Sequence, residues 1–214
     1  MIVIIQIVNT GKDPMPRMSA AEKQKSHERI LDAAARLFRE RGIEATSVAD
    51  VMREAGLTHG GFYRHFPSKQ ALVGEAFRHA AEGLLSTAET EAAPGGPARA
   101  AARARYVARY LSGEHVIDAG HGCPIAALGA DIARDGGAAR AEASRTLERM
   151  AAFLVPEVAG EGDRGLALTA LLVGTVTLAR MADRAELSAR IVEAGRRAAD
   201  ILDKCPDDGS AKVG

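Results

Sequence analysis

The segment from Thr46 to Lys69 constrains the fold of this chain more than any other stretch. Its pattern predicts two short helices, one over residues 48–55 and one ending near His65, with Gly56 in the turn between them. A Ser or Thr precedes each helix at the position that caps a helix N-terminus, and Pro67 ends the second helix. Two short helices joined by a glycine turn and braced by longer helices indicate a helix-turn-helix.

Helical patterns also fill the rest of the chain. One predicted helix runs from about Ser26 to a stop at Gly42, and another follows Ser68. Beyond the break at residues 91–98, the sequence is rich in alanine and shows no persistent strand-like alternation. The sequence therefore predicts an all-α protein. Its C-terminal helices are expected at residues 97–112, 124–135, 137–154, 163–182 and 185–203.

Two apolar stretches raise the question of a membrane. The first, residues 1–8, lacks a basic flank and a cleavage site and is too short to cross a bilayer. The second, residues 165–179, is only fifteen residues long and is interpreted as a buried core helix. Met15 and Met18 are alternatives to Met1 as the start of translation. The predicted segments are a disordered N-terminal extension (1–20), a helix-turn-helix domain (21–80), a helical domain (81–205) and a polar tail (206–214).

Charge and cysteine content limit the partners and the cellular compartment expected for this chain. The formal net charge is zero, so any contact with nucleic acid must rely on local charge. Lys23 and Lys25 precede the first predicted helix and form either a flexible arm that contacts phosphate or a solvated basic start. Cys123 and Cys205 are the only cysteines and form neither a disulfide framework nor a zinc motif. A cytoplasmic protein that does not associate with membranes is expected.

The segment between the predicted caps contains two histidines, which suggest either a chemical site or a contact surface. His59 and His65 are six residues apart, so they face opposite sides of a helix and do not form a zinc pair or an acid–base pair. No acidic residue occurs between positions 58 and 69. Gly60 and Gly61 each weaken a helix by about 1 kcal/mol relative to alanine, and close approach to another surface would explain them. The sequence therefore favours contact with a negatively charged partner.

The sequence TSVADVMREAGLTHGGFYRHFPSKQALVGEAF (Thr46–Phe77) resembles the DNA-binding region of the TetR family of bacterial transcriptional regulators. With the preceding ILDAAARLFRERG, the resemblance covers residues 26 to about 80. GCPIAALGADIAR (Gly122–Arg134) is similar to a segment of one branch of these regulators. The resemblance implies a three-helix helix-turn-helix DNA-binding domain followed by a helical ligand-binding and dimerisation domain. It implies contacts to double-stranded DNA from Thr46, Thr58, His59, Gly60, Gly61, Tyr63, Arg64, His65 and Lys69.

The resemblance also implies a homodimer and a small-molecule effector. Family members pair their last two helices with those of a second copy, although these helices would otherwise simply cover their own core. The expected interface residues are Leu171, Val176, Leu187, Ile191, Ala198 and Ile201. The middle helices would enclose a pocket for a small, fairly apolar ligand. Its expected lining is Tyr106, Tyr110, His121, Cys123, Met150 and Phe153, of which the large side chains equally suit a plain core.

The implied function is a sequence-specific repressor that an effector releases from a palindromic operator, without a cofactor. An activator, or a helical adaptor that has lost DNA binding, remains an alternative. Cys123 precedes a predicted helix N-terminus, which would lower the pKa of its thiol and suit a redox or electrophile sensor, whereas an ordinary buried cysteine is the simpler interpretation. His115, His121 and Cys123 lack a fourth metal ligand, so no metal is predicted. No convergent catalytic set is found, and we do not expect an enzyme.

Overall fold

The computed structural model describes residues 19–93, 96–155 and 162–204, and within these ranges all regular structure is helical. The prediction of an all-α protein is confirmed. The predicted polar tail, Cys205 and most of the predicted N-terminal extension lie outside the described residues. The first domain contains α1 (Ala20–Arg41), α2 (Val48–Glu54), a 3₁₀ helix (His59–Arg64) and the first half of α3 (Lys69–Ala92).

Helix α1 begins earlier than the sequence pattern predicted. The Ser19 hydroxyl accepts the Glu22 N–H (3.1 Å), and the Glu22 carboxylate accepts the Ser19 N–H (2.8 Å). This reciprocal pair is a capping box, whose Ser-x-x-Glu spacing was overlooked in the sequence. Lys23 and Lys25 therefore lie on a helix, and the interpretation as a flexible arm is wrong.

The turn of the helix-turn-helix follows the predicted order of cap, glycine and apolar residue. Ser47 caps α2, because its hydroxyl accepts the Asp50 N–H at 3.1 Å. After α2 the chain turns at Gly56, whose φ of +67° lies in the left-handed region that favours glycine. The Leu57 N–H then bonds back to the Met52 carbonyl at 2.8 Å, which fixes the direction in which the 3₁₀ helix leaves the turn.

The C-terminal domain consists of long helices that match the predicted segments within two residues at either end. The sequence pattern missed one short helix and a 3₁₀ turn between the fourth and sixth helices, because segments of five and three residues are too short to show a period. The elements are α4 (Gly96–Tyr110), α5 (Gly113–Ile117), the 3₁₀ turn Ala119–His121, α6 (Pro124–Asp135), α7 (Gly137–Leu154), α8 (Gly162–Met181) and α9 (Ala185–Lys204).

Two apolar cores share helix α3. Its first half packs in the core of the DNA-binding domain, and its second half, from Leu85 onwards, packs in the C-terminal core. The boundary predicted between residues 80 and 81 therefore falls inside one continuous helix. Leu128 and Ile132 of α6 also belong to the first core. The two domains pack against each other in addition to being connected by the chain. A structural change in one domain therefore alters the packing of the other.

Helix α8 is apolar around most of its circumference. By length and composition it is apolar enough to cross a membrane. In the structure, Leu168, Leu172 and Val176 are buried in the C-terminal core, whereas Leu178 and Met181 are exposed. A single chain therefore covers only one side of this helix.

Candidate nucleic-acid interface

The 3₁₀ helix presents different residues to the protein interior and to solvent. Phe62 and Phe66 are buried, and their rings stack at 5.8 Å between centroids. His59 and Arg64 are exposed, and 73% of Tyr63 is accessible. The edge of the Phe62 ring meets Tyr63 at 5.2 Å, so the buried ring holds the exposed one in place. The segment is thus anchored by its inner side and offers polar and cationic groups on its outer side.

The two consecutive glycines occupy different surroundings. A Cβ atom on Gly60 would meet nothing within 4 Å, so this position opens to solvent. A Cβ atom on Gly61 would lie 3.7 Å from Met52 Cε, an ordinary contact distance. Neither glycine has a positive φ. The fold therefore does not require glycine at position 60, and close approach of another surface remains the physical reason for it.

Two threonines behave differently from the expectation. Thr46 is fully buried, and its hydroxyl donates to the Gly42 carbonyl at 2.8 Å, so its side chain is not exposed to DNA. The structure contradicts a side-chain DNA contact by Thr46, which instead ties α1 to α2. Thr58 precedes the 3₁₀ helix, but its hydroxyl makes no capping hydrogen bond. Thr58 is exposed, which leaves this hydroxyl free to contact a phosphate.

His65 turns partly towards α1. Its ring lies 5.9 Å from that of His27, and its Nδ1 atom is buried without a hydrogen-bond partner among the described residues. Burial lowers the pKa of His65, and the neighbouring His27 and Lys23 lower it further. A neutral, half-buried imidazole is a weak partner for phosphate, so only the outer edge of His65 can reach DNA. His59 and His65 do not form a joint site, since one faces solvent and the other faces α1.

Lys69 is the first residue of α3 and is partly exposed beside the 3₁₀ helix. The preceding Ser68 caps α3 by accepting the Ala71 N–H at 3.1 Å, which fixes where Lys69 leaves the backbone. Asp50 is the acid of the α2 cap, and its pKa is lowered to about 2 by hydrogen bonds from Ser47 and Arg53. Asp50 is thus held at its own helix cap, and the segment from Thr58 to Lys69 contains no acidic residue.

The residues expected to line an effector pocket are only partly brought together. Tyr106, Tyr110 and His121 line a hollow of about 290 Å³ between α3, α4, α5 and the 3₁₀ turn. Met150 and Phe153 are buried in the C-terminal core and do not line it. The expectation of a pocket for a fairly apolar ligand fits this hollow only in part, because the charged side chains of Arg109, Glu114 and Asp118 line it beside apolar surface. The remaining lining residues are Gly83, Leu84, Arg109, Ser112, Glu114, His115, Asp118 and Gly122.

Cys123 lies at the N-cap of α6 as predicted, but its side chain is fully buried. Burial raises the pKa of the thiol, although hydrogen bonding by Tyr110 and by the backbone of α6 partly opposes this. The prediction of a lowered thiol pKa is therefore wrong, and the argument for a thiolate sensor loses its basis. Both ring nitrogens of His115 are engaged, Nδ1 with the Tyr110 carbonyl (2.6 Å) and Nε2 with the Cys123 N–H (2.9 Å), so His115 has no free lone pair for a metal.

Sequence reasoning missed the residues that join the two domains. The Arg39 guanidinium of α1 donates to the Gly122 carbonyl at 3.2 Å, and the Ile43 N–H donates to the Asp131 carboxylate of α6 at 3.2 Å. A Cβ atom on Gly120 would lie 2.7 Å from Glu40 Oε1, so the 3₁₀ turn packs closely on α1 at this position. The two hydrogen-bonded pairs are more than eighty residues apart along the chain. No local pattern could have identified them.

The expected interface residues of α8 and α9 divide into two groups. Val176 is fully buried in its own chain, so its predicted contact with a second copy is wrong. It lies five residues from Leu171, which corresponds to about 140° around the helix. Leu171 and Leu187 are partly exposed. Of the others, Ile191 and Ala198 are also partly exposed, and Ile201 is exposed.

Comparison with known proteins identifies the N-terminal domain. Residues 30–76 match the family model described as "Bacterial regulatory proteins, tetR family". The matched range begins within α1 and ends within α3, so it includes the complete helix-turn-helix. It also contains every residue of the outward-facing segment.

Curated relatives match mainly in this N-terminal part. The HTH-type transcriptional repressor KstR2 of Rhodococcus jostii is 35% identical over 108 residues, which is 50% of this chain and 51% of the relative. The HTH-type transcriptional regulator AcrR of Shigella flexneri is 39% identical over 61 residues, 28% of each chain. The chain thus spans about half the length, or less, of these relatives.

Solved structures match over a larger part of the chain. The reduced form of E. coli NemR has a TM-score of 0.67 at 19% identity, covering 85% of this chain and 98% of NemR. A TetR transcriptional regulator from Chloroflexus aurantiacus has a TM-score of 0.65 at 23% identity, covering 86% and 97%. At these identities the likeness shows a shared fold, which extends through the C-terminal helices.

Proposed function

We propose that this chain is a member of the TetR family of bacterial regulatory proteins and acts as a cytoplasmic, homodimeric repressor that a small-molecule effector releases from a palindromic operator. Regulators of this family bind DNA and are not enzymes. The observation that carries the proposal is the outward-facing, acid-free 3₁₀ segment inside the matched range. The relative KstR2 is described as a repressor, which favours repression over activation.

DNA contact is assigned to the outer side of the segment from Thr58 to Lys69. Arg64 and Lys69 supply cations for the phosphate backbone, and the exposed Tyr63 hydroxyl and Thr58 hydroxyl supply hydrogen bonds. The bare positions Gly60 and Gly61 let the 3₁₀ helix approach the groove. His59, at the exposed start of that helix, is the residue proposed to contact base edges.

Dimerisation is assigned to α8 and α9. Leu178 and Met181 at the end of α8 and Ile201 on α9 are each more than half exposed, which is costly for large apolar side chains. Leu171 lies on the same side of α8 as Leu178, seven residues away. A second copy of the chain covers these faces when α8 and α9 pair with their own counterparts about a twofold axis. Two recognition helices then address two half-sites about one DNA turn apart.

Effector release acts through the joint between the domains. The C-terminal helices contact α1 at the 3₁₀ turn and at Asp131, so a ligand that moves these contacts changes the orientation of the DNA-binding domain. Ligand binding therefore favours a dimer whose recognition helices no longer match the half-site spacing.

The proposed function is tested by footprinting the purified full chain on the DNA upstream of its own gene. A protected palindrome, bound more weakly as salt rises, is expected. The matched variants are Arg64→Ala on the DNA-facing segment and Arg140→Ala, which removes an exposed cation from α7. Arg64→Ala should lose protection and Arg140→Ala should keep it. Equal protection by both variants, or no protected site in the genome, would contradict the proposal.

A further inference from the structure

A row of aromatic rings connects α1 with the exposed Tyr63. The His27 ring of α1 stacks on the Phe66 ring, with 4.6 Å between the centroids and 18° between the planes. Phe66 stacks on Phe62 at 5.8 Å, and the edge of Phe62 meets the Tyr63 ring at 5.2 Å. These distances fall within the range of about 4.5–7 Å in which aromatic rings attract each other. The row therefore begins on a helix of the domain core and ends at the outer side of the 3₁₀ helix.

Burial fixes the two phenylalanine rings in the middle of this row. Phe62 and Phe66 are each 1% exposed, whereas 73% of Tyr63 is accessible. Side chains in a close-packed interior do not shift without displacing their neighbours. The exposed Tyr63 ring therefore takes its orientation from the buried rings behind it.

His27 is itself held by a second helix. Its Nε2 atom lies 3.4 Å from Oε2 of Glu75 on α3, which restricts rotation of the imidazole. On its other side the His27 ring faces the His65 ring at 5.9 Å between centroids. His27 thus contacts α3 and both residues that follow the 3₁₀ helix, His65 and Phe66. The end of the 3₁₀ helix is therefore supported by one side chain that two long helices hold in place.

We propose that His27 is a positioning residue for DNA binding, which sets the orientation of Tyr63 through the stacked rings of Phe66 and Phe62. The importance of this orientation for DNA rests on the proposed function, in which Tyr63 contacts the DNA backbone. The orientation of Tyr63 itself is measured without DNA. Failure of one is therefore distinguishable from failure of the other.

A second histidine on the same two helices provides a matched control. His79 of α3 bonds to Asp32 of α1 at 2.7 Å, so it also joins α1 to α3 through an imidazole and a carboxylate. In the part of the chain that the structure describes, His79 contacts none of the four rings of the row. Loss of His79 therefore removes a link between the same helices and leaves the row intact.

The first measurement follows the Tyr63 ring in the full chain without DNA. The chain has three tyrosines, and Tyr106 and Tyr110 are each 2% exposed in the other core. Fluorotyrosine labelling gives one ¹⁹F resonance for each tyrosine, and the variant Tyr63→Phe identifies the one from Tyr63. His27→Ala should shift the Tyr63 resonance and leave the other two in place. His79→Ala should shift none of them.

The second measurement is the affinity for the protected operator DNA, by fluorescence anisotropy at pH 8. An imidazole is normally neutral at this pH, so the substitutions leave the net charge unchanged. His27→Ala should weaken binding roughly twofold to tenfold, the range expected for the loss of one aromatic contact. His79→Ala should bind as the wild type does. His27→Phe, which restores a flat ring against Phe66, should regain most of the lost affinity.

If His27→Ala does not fold, His27→Gln takes its place, because it keeps a donor near Glu75 but has no ring. The proposal is overturned by a Tyr63 resonance that stays in place in the folded variant without a ring, or by an equal shift in His79→Ala. It is also overturned if His27→Phe binds DNA no better than His27→Ala. A shifted Tyr63 resonance in a chain whose wild type binds no DNA would refute the proposed function and support the positioning of Tyr63 by His27.

Discussion

The segment proposed to face DNA and the joint between the domains differ in how their residues are distributed along the chain. All the groups of this segment that are proposed to contact DNA lie between Thr58 and Lys69, a length of four helical turns or fewer. The joint instead combines α1, α5, the 3₁₀ turn and α8, and its Arg39–Gly122 bond spans 83 residues. A contiguous surface leaves a pattern in the sequence, whereas a site assembled from distant elements appears only once the chain has folded.

The two regions also differ in how charge is arranged. The cations of the segment are exposed or partly exposed, whereas Arg39 and Arg180 of the joint are partly buried and form no salt bridge among the described residues. Exposed charge costs little stability, and buried unpaired charge costs much more. The comparison therefore predicts that substitutions in the segment change binding, and that substitutions beneath it or in the joint change stability or ligand response.

The largest expected effect separates two adjacent residues of the 3₁₀ helix. Phe62→Ala should lower the free energy of unfolding by about 3–5 kcal/mol, because it removes a buried ring. Tyr63→Ala should change it by less than about 0.5 kcal/mol, since this side chain is exposed, yet weaken DNA binding roughly tenfold. Urea unfolding and fluorescence anisotropy with duplex DNA measure the two quantities. Similar stability losses in both variants would refute the division of the 3₁₀ helix into a buried side and an exposed side.

A second prediction applies the same division to α8. Leu178→Glu places a charge on the exposed face and should weaken the dimer by roughly a hundredfold in Kd, because that face is covered by the second copy. Val176→Ala should lower stability through a cavity and leave the dimer intact. Analytical ultracentrifugation gives both dissociation constants. A Leu178→Glu variant as dimeric as the wild type would exclude this face as the interface.

A third, smaller effect contrasts two glycines. Gly56→Ala should lower stability by about 1–2 kcal/mol, because the residue has a positive φ and a Cβ atom there would lie 2.6 Å from Arg29 Nη2. Gly60→Ala should leave stability unchanged or slightly higher and weaken DNA binding, because its Cβ atom meets only solvent. The pair is compared by thermal unfolding and anisotropy. Undiminished DNA binding by Gly60→Ala would argue against close approach at this position.

The smallest expected effect is a pH dependence of stability, to which His115 in the joint between the domains contributes. Burial lowers the pKa of His115 and of His65 below the ordinary value of 6.5. As the pH falls below about 6.5, the unfolded chain binds protons at these sites and the folded chain does not. Stability is therefore fully present above that pH and declines until the lower folded pKa is reached. Acids with a lowered pKa contribute losses only below about 4.5, so the two ranges are separable.

Unfolding free energies measured between about pH 7 and pH 5 test this assignment. His115→Asn, which keeps a donor for the Tyr110 carbonyl, should flatten part of the decline. His59→Asn, at an exposed position, should leave the decline as it is in the wild type. An unaltered slope in His115→Asn would show that His115 does not contribute.

Much of the fold could be predicted from the sequence, because its signals are local. Capping residues, Gly42 and Gly56, and the helical period of the apolar residues marked nearly all the long helices. The start of α1 was not predicted because the Ser19–Glu22 capping box was overlooked. Helix α5 was not predicted because five residues show no period. The 3₁₀ helix turns its polar residues outward because Phe62 and Phe66 are buried, which agrees with the contact surface that the sequence favoured for this segment.

The sites in the C-terminal domain could be predicted only in part. Tyr106 and Tyr110 were expected near a ligand, and they line a hollow. However, Val176 was expected at the dimer interface and Cys123 in the ligand pocket, and both side chains are fully buried instead. Thr46 was assigned to DNA because of its place in a motif, but tertiary packing directs its hydroxyl to the Gly42 carbonyl. Burial of a single side chain depends on distant elements, which local patterns do not record.

The central claim is that the segment from Thr58 to Lys69 contacts the DNA backbone. Its most direct test is the slope of log K against log salt concentration for binding to a short DNA duplex. Lys69→Ala should reduce the magnitude of that slope by about one, because one phosphate contact is lost, and Arg140→Ala should leave it unchanged. Identical slopes for the wild type and both variants would contradict the claim.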